Sequence, residues 1–163
     1  PIGITEKMLI KTLLIKSSKS MKKLSMKIFG EYNQKKWFRF VTIASVIQKE
    51  SASIDEMPIV SSVIYNRLKN GMKLQMDGTL NYGKYSHIKI TSKRIKTDKS
   101  RYNTYLYTGL PEYPVCNVSF DAIKAAIFPA KTNYLYFMKS KNGTHDFTSN
   151  YSTHLNNIKR ATK

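Results

Sequence analysis

The sequence predicts an α+β fold, helices packed on a small mixed or antiparallel sheet, and three observations point to it. Apolar residues recur at helical spacing through most of the first 70 positions. Ser119 and Pro129 bracket a further short helical pattern. Two aromatic runs, Tyr134-Leu135-Tyr136-Phe137-Met138 and His145-Asp146-Phe147, flank Asn142-Gly143, a strong hairpin signal. With 163 residues, 41% of them hydrophobic and 12% aromatic, the chain can bury one core. No internal repeat or low-complexity linker interrupts it, so 1–163 reads as a single domain, with a basic helical leading segment over 1–36 and a core over 37–163.

Residues 1–36 place Met8, Leu9, Leu13, Leu14, Met21, Leu24 and Ile28 at roughly helical intervals among lysines, with Gly30 as the stop. Up to Lys49 eleven Lys and Arg residues stand against Glu6 and Glu31 alone. The ordinary reading of such a run is a solvated lysine face on a supporting helix. From Trp37 to Lys49 the text is apolar on most sides, as in a helix at the centre of a small domain. Ile43, Val46, Ile47 and Glu50 follow an i, i+3, i+4, i+7 pattern, so a carboxylate occupies the next slot of an apolar stripe. Partial desolvation of Glu50 is the expectation.

A second helix is predicted after Ser51–Glu56, with Pro58 in its first turn, Val60, Val63, Ile64 and Leu68 on one side, and Asn70-Gly71 at its end. Asp55 and Glu56 flank its start, where acidic residues serve as caps. Met72 to Thr79 alternates enough for a short strand. The polar stretch from there to about Ser100 reads as a mobile loop. Tyr102-Asn103-Thr104-Tyr105, Gly109-Leu110-Pro111 and Pro114 read as an ordered loop. After the Ser119-capped helix, the hairpin pairs Met138 with Phe147 and Ser140 with His145, leaving His145 and Phe147 on one face. A last helix covers about Tyr151 to Ala161.

The net charge of +18 favours an anionic polymer or surface as partner: nucleic acid, acidic lipid, or a bacterial wall glycan whose peptide stems carry carboxylates. One cysteine, Cys116, excludes an internal disulfide and any CxxC site. The longest strongly apolar stretch, Phe40–Ile47, is far shorter than the roughly 20 residues that span a bilayer. The chain opens at Pro1 without a charged n-region or an apolar h-region, and so reads as a piece of something longer.

Three histidines, His87, His145 and His154, show no HExxH or paired spacing, so neither a metal nor another cofactor is expected. No Gly-x-Ser-x-Gly elbow and no phosphate loop occurs. Carboxylate chemistry remains. A glutamate against Val46 and Ile47 has its charged form disfavoured, which suits a general acid for a glycosidic oxygen. The alternative is a surface pair of Glu50 with Lys49 or Arg67. Hydrolysis asks for a second carboxylate about 5 Å or about 6.5 to 9.5 Å away, and of Asp55, Glu56 and Asp77 the last is the strongest candidate. A single glutamate must instead take its nucleophile from the substrate. Tyr102, Asn103 and Tyr105 supply, within four residues, tyrosine faces for sugar rings and an amide for an N-acetyl group, or else aromatics that fasten a loop to the core.

In order along the chain stand Ala44-Ser45-Val46-Ile47-Gln48-Lys49-Glu50-Ser51, Val63-Ile64-Tyr65-Asn66-Arg67-Leu68, Gly71-Met72-Lys73-Leu74-Gln75-Met76-Asp77-Gly78-Thr79, Tyr102-Asn103-Thr104-Tyr105 with Gly109-Leu110-Pro111, Ala125-Ala126 with Pro129-Ala130-Lys131 and Tyr134-Leu135-Tyr136-Phe137, and His145-Asp146-Phe147 with His154. These blocks, over about 41–158, resemble the catalytic domain of the endolytic murein transglycosylases, the MltG or YceG-like family. The resemblance implies a lysozyme-like catalytic helix with Glu50 as the catalytic residue, and Gln75, Asp77, Tyr102, Asn103 and Tyr105 as substrate-binding residues. It further implies lytic cleavage of the MurNAc-GlcNAc β-1,4 bond inside nascent peptidoglycan strands, leaving 1,6-anhydro-MurNAc ends and terminating strand elongation. Expected with it are peptidoglycan synthases as partners and a bacterial inner-membrane location with the catalytic domain facing the periplasm, through an anchor absent from this chain.

The sequence departs from the family pattern at Gln48, where a glutamate is usual, at Gly78, where proline is usual and whose presence is expected to loosen the loop, and at Val118-Ser119, where Pro-Gly is usual. Two rival readings are a muramidase that hydrolyses with Glu50 and Asp77, and a basic nucleic-acid-binding module. The latter lacks an RRM, zinc-finger or helix-turn-helix signature and gives Glu50 no role, so nucleic acid is not the expected partner.

Overall fold

The computed structural model describes residues 3–161. Its elements run α1 (Glu6–Phe29), α2 (Gln34–Glu50), α3 (Met57–Lys69), α4 (Asp77–Leu80), a 3-10 turn (Gly83–Tyr85), α5 (Ser92–Thr97), α6 (Phe120–Ile127), β1 (Tyr136–Lys139), β2 (His145–Thr148) and α7 (Tyr151–Ala161). A helical majority with a two-stranded antiparallel sheet makes the fold α+β, as the sequence predicts. The chain divides into two compact units, Pro1–Arg39 and Phe40–Lys163.

In the first unit the Thr5 hydroxyl accepts the Met8 N–H and caps α1, and Gly30 closes the helix in the left-handed conformation (φ 70°). Ser25 Oγ donates to Glu31 O at 2.7 Å, and Asn33 Oδ1 accepts the Lys36 N–H at the start of α2. Leu9, Leu13 and Leu14 lie exposed along α1.

The second unit holds the core. Ile43, Ala44, Val46 and Ile47 of α2, Val60, Val63 and Ile64 of α3, and Leu74, Met76, Leu80 and Val115 are all but inaccessible. α3 begins with Pro58 in its first turn and ends in a Schellman arrangement: Met72 N–H donates to Arg67 O, Gly71 N–H to Leu68 O, and Gly71 takes φ 66°. It packs on α6, whose N-cap Ser119 accepts the Ala122 N–H at 3.1 Å. Asn66 Nδ2 donates to Thr132 O and Tyr134 O, both at 2.9 Å, and so leads the chain from α6 into the hairpin.

The pairing in the hairpin differs by one residue from the expected register. Phe137 faces Phe147 and Lys139 faces His145. A two-residue Asn-Gly turn would give the expected pairs, but the loop takes three residues, Lys141-Asn142-Gly143. Gly143 N–H returns to Ser140 O, Gly143 adopts φ 87°, and Ser140 N–H meets Thr144 O at 2.8 Å, the type I turn plus left-handed residue of three-residue hairpins. His145 and Phe147 still share a face, because that depends only on their spacing of two. α7 packs on both strands, with His154 stacked on Tyr136 at 5.3 Å.

Three further expectations give way. Met72–Thr79 is not a strand, since its backbone pairs with a loop: Gln75 N–H donates to Thr104 O, Met76 N–H to Thr104 Oγ1, and α4 then starts at Asp77. The stretch before Ser100 contains a 3-10 turn and α5, whose start is capped by Thr91. Glu56 stands at the N-cap position of α3 without a side-chain cap bond. Its carboxylate accepts the Ala52 N–H at 3.1 Å, the His145 N–H at 2.8 Å and His145 Nδ1 at 2.7 Å, tying β2 to the start of α3.

Although burial alone would raise the Glu56 carboxyl, the donors from His145 and Ala52 hold it below the usual carboxylate range. A depressed acid stabilises the fold above its unfolded value of 4.5 and loses that contribution as pH falls through the lower folded value. Urea denaturation of wild type and Glu56→Gln should therefore show wild type more stable near neutrality, with the gap closing as pH falls below about 4.5. A gap that stays constant with pH would contradict this account of the pair.

Candidate active site

Glu50 is the last residue of α2 and is half-buried. The apolar stripe that ends in it lies in the core, so its carboxylate emerges beside buried side chains and at the negative end of a helix. Burial pushes its pKa up to about 7. Asp77 reinforces the rise, while the Gly78 N–H and Lys49 oppose it. The alternative surface pair does not form: Lys49 Nζ donates to Asn81 O at 2.6 Å, and Arg67 turns to backbone carbonyls.

The strongest direct partner of Glu50 is Gly78, whose N–H donates to Oε1 at 2.6 Å. Far from loosening the loop, the glycine lets its backbone approach this closely. A Cβ there would lie 2.7 Å from both Glu50 Oε1 and Lys49 Cβ. Because Oε1 is engaged as an acceptor, Oε2 is the oxygen left to carry a proton.

Glu50 and Asp77 border two clefts. One, of about 230 Å³, is also lined by Arg67, Gln75, Tyr105 and His145. The other, of about 620 Å³, is also lined by Lys49, Gly78, Asn81 and His87. The two acids thus stand where a groove could continue in both directions.

The remaining sequence-predicted residues separate into two groups. Gln75 and Asp77 are exposed, and Gln75 takes a left-handed backbone (φ 51°), an uncommon conformation outside glycine that aims its side chain into the smaller cleft. Tyr105 donates its hydroxyl to Asp77 Oδ1 at 2.5 Å, and burial with this bond pushes its own pKa up. Tyr102 and Asn103, by contrast, line neither cleft. Tyr102 lies against Tyr82 with ring centres 4.8 Å apart. Asn103 is fully buried, its amide donating to Ile95 O and Asp98 O and its oxygen accepting the Tyr105 N–H. That amide is spent on folding the loop that carries Tyr105 and is not positioned to meet a ligand.

Sequence reasoning did not assign Arg67, Lys139 or His145 to the site, yet all three line the smaller cleft. Arg67 and His145 stood in the sequence as motif members, Arg67 read only as an alternative partner for Glu50, and Lys139 carried no signal there. Gln48 accepts the Ser119 N–H at 3.0 Å and so supports α6. Among the described residues no cluster of His, Cys, Asp or Glu is suited to hold a metal ion.

Fold and site together define a helix-rich α+β protein with one half-buried carboxylate at the junction of two clefts. A model of the YceG-like family matches residues 1–160. The chain is 38% identical over 117 residues to an endolytic murein transglycosylase of Bacillus subtilis, covering 71% of this chain and 32% of that protein. It is 32% identical over 129 residues to one of Streptococcus pneumoniae, covering 71% and 23%. The crystal structure of a yceG-like protein from Listeria monocytogenes superposes with a TM-score of 0.79 at 29% identity, over 94% of this chain and 49% of that one. The chain belongs to the YceG-like family, and it spans less than a third of the length of these two curated relatives.

Two outcomes test the geometry. A glutamate raised to about 7 is protonated in the fold and ionised in the unfolded chain between its unfolded value of 4.5 and about 7, so stability falls as pH rises through that window. Glu50→Gln should match wild type below about pH 4.5 and be the more stable protein at pH 8 by thermal denaturation. Gly78→Ala should lower stability by about 1–3 kcal/mol, because the added methyl meets Glu50 and Lys49. An unchanged urea midpoint would sink that reading.

Proposed function

We propose that this chain is the catalytic part of an endolytic murein lytic transglycosylase. The observation that carries the reading is Glu50, which holds a proton near neutral pH where two clefts meet. Support comes from the family and from relatives that bear this name. Cleavage within a strand, as opposed to at its end, is supported by Glu50 and Asp77 bordering both clefts.

In this reading Glu50 Oε2 gives its proton to the oxygen of the MurNAc-GlcNAc β-1,4 bond, and the bond from that oxygen to C1 breaks. The leaving sugar departs with the proton as a hydroxyl. The substrate's own acetamide supports the developing positive charge at C1. The C6 hydroxyl of the same MurNAc then bonds to C1, and Oε2, now ionised, takes its proton, which restores the acid and leaves a 1,6-anhydro end. A pKa near 7 suits a group that must give and then accept a proton at the same pH. Gly78 holds the other carboxylate oxygen still through both steps.

Gln75, Asp77 and Tyr105 orient the glycan, and Tyr102 and Asn103 contribute by shaping the loop behind Tyr105. The substrate is the peptidoglycan strand, and scission of nascent strands terminates their elongation. Partnership with peptidoglycan synthases, and an anchor that places the catalytic unit on the periplasmic side of the inner membrane, belong to the same family reading. Among the described residues no helix is long and apolar enough to cross a membrane.

One observation favours a second reading, hydrolysis by two carboxylates: Asp77 lines both clefts beside Glu50. Mass spectrometry of purified glycan strands separates the two. Anhydro-ended products are expected from wild type, none from a folded Glu50→Gln, and measurable product from Asp77→Asn. Reducing ends carrying water, with all activity gone in a folded Asp77→Asn, would favour the hydrolase. The rate should also decline as pH rises above about 7, where Glu50 loses its proton.

A further inference from the structure

The smaller cleft is not lined by acids alone. Arg67 is 7% exposed, and its guanidinium turns toward backbone oxygens: Nε donates to Leu135 O at 2.6 Å, and Nη1 donates to Leu74 O at 2.6 Å and Lys73 O at 3.2 Å, with a long contact to Gln75 Oε1 at 3.4 Å. Nη2 makes no hydrogen bond among the described residues, and no carboxylate pairs with the guanidinium there. A cation held this far from water without a counter-ion is costly, and burial lowers its pKa accordingly. The Tyr136 ring, 5.3 Å from the guanidinium carbon, covers part of the cation but brings no opposite charge. Lys139, exposed at the end of β1, brings a second cation to the same wall. His145 completes it. Since Glu56 is ionised, His145 Nδ1 must donate to it, which fixes the ring and leaves Nε2 as its free polar atom.

We infer that Arg67 and Lys139, flanked by the His145 ring, form a carboxylate-binding subsite in the cleft that Glu50 borders. The ligand is a carboxylate on the C3 substituent of the muramyl sugar next to the scissile bond. Guanidinium and carboxylate pair through matched donors and acceptors, and one free arm of Arg67 with one mobile ammonium suffices to select an acid over its neutral derivative. The acid could be the lactyl group of a strand stripped of peptide, or the first free carboxylate of an attached stem. The inference rests on the proposed glycan substrate and adds the part of it that is selected.

The test compares three glycan preparations: peptide-free strands, the same strands with their carboxylates methyl-esterified, and strands bearing stem peptides. For wild type, kcat/KM on acid-bearing strands should exceed that on the ester by about tenfold, mostly through KM. Lys139→Glu should erase the difference by weakening acid-bearing strands more than the ester. Arg67→Lys, checked for folding by circular dichroism, should do the same less completely. A preference for peptide-free acid assigns the lactyl group, and a preference for peptide-bearing strands assigns the stem. Calorimetric binding of short oligosaccharides to Glu50→Gln reads the same selectivity without turnover. Charge-selective binding with no cleavage by wild type rejects the reaction and keeps the subsite. Equal treatment of acid and ester, or equal loss on both in Lys139→Glu, rejects the subsite.

Discussion

A carboxylate held partly out of water at the end of an apolar helix is the constraint on which the rest of this site depends. Ionised in a half-buried position, Glu50 would face a desolvation cost together with the negative end of α2 and the neighbouring charge of Asp77. Neutral, it needs only modest accommodation. The balance falls near neutrality because the Gly78 N–H, at 2.6 Å, returns part of what burial takes from the charged form. Remove the burial and the residue becomes an ordinary surface glutamate, permanently ionised at neutral pH.

The segment 72–76 that leads into α4 and so places Gly78 has no regular structure to stiffen it, and its rigidity comes from side chains. Thr104 Oγ1 accepts the Met76 N–H and meets Thr79 Oγ1 at 2.9 Å, and Thr79 returns a bond to Met76 O. Asn103 fixes the other side by bonding three backbone groups. Arg67 holds Lys73 O and Leu74 O from below the same segment. Buried polar groups this fully engaged specify one loop conformation, and here that conformation includes the left-handed Gln75. The residues that bring Gln75 and Asp77 to the cleft are thus mostly residues that never enter it.

That division explains what was legible in the sequence. Helices α2, α3, α6 and α7 could be read from their periodicity, reinforced by the Asn70-Gly71 stop of α3 and the Ser119 cap of α6. Glu50 was legible for the same reason, since a carboxylate in an apolar stripe stands out against its period. The hairpin was legible as an element and misread by one residue, because Asn-Gly fits both a two-residue turn and the end of a three-residue one, and only Ser140 and Thr144 decide between them. The 72–79 segment alternates like a strand, but a strand needs a partner strand, and its nearest backbone is the loop at Thr104. Asn103 carries the chemistry of a sugar ligand and the chemistry of a loop knot equally well; burial, which a sequence does not display, chooses the second. Arg67 and His145 went unassigned because their roles depend on residues 68 and 89 positions away, Leu135 and Glu56.

The departures from the family pattern fall around the acid and not on it. Gln48 cannot serve as a second carboxylate, and its amide oxygen is already occupied by Ser119 N–H at the start of α6. Gly78 stands where the family resemblance implies a proline, and the physical difference is specific: proline has no N–H to give Glu50. A protein with proline at this position must balance its buried glutamate by other donors. In this chain the backbone itself supplies that donor, and the lack of a Cβ is what allows it within 2.6 Å. A glycine that the sequence alone reads as added flexibility is, in the fold, the contact that partly offsets burial and makes the acid release its proton more readily than burial alone would allow.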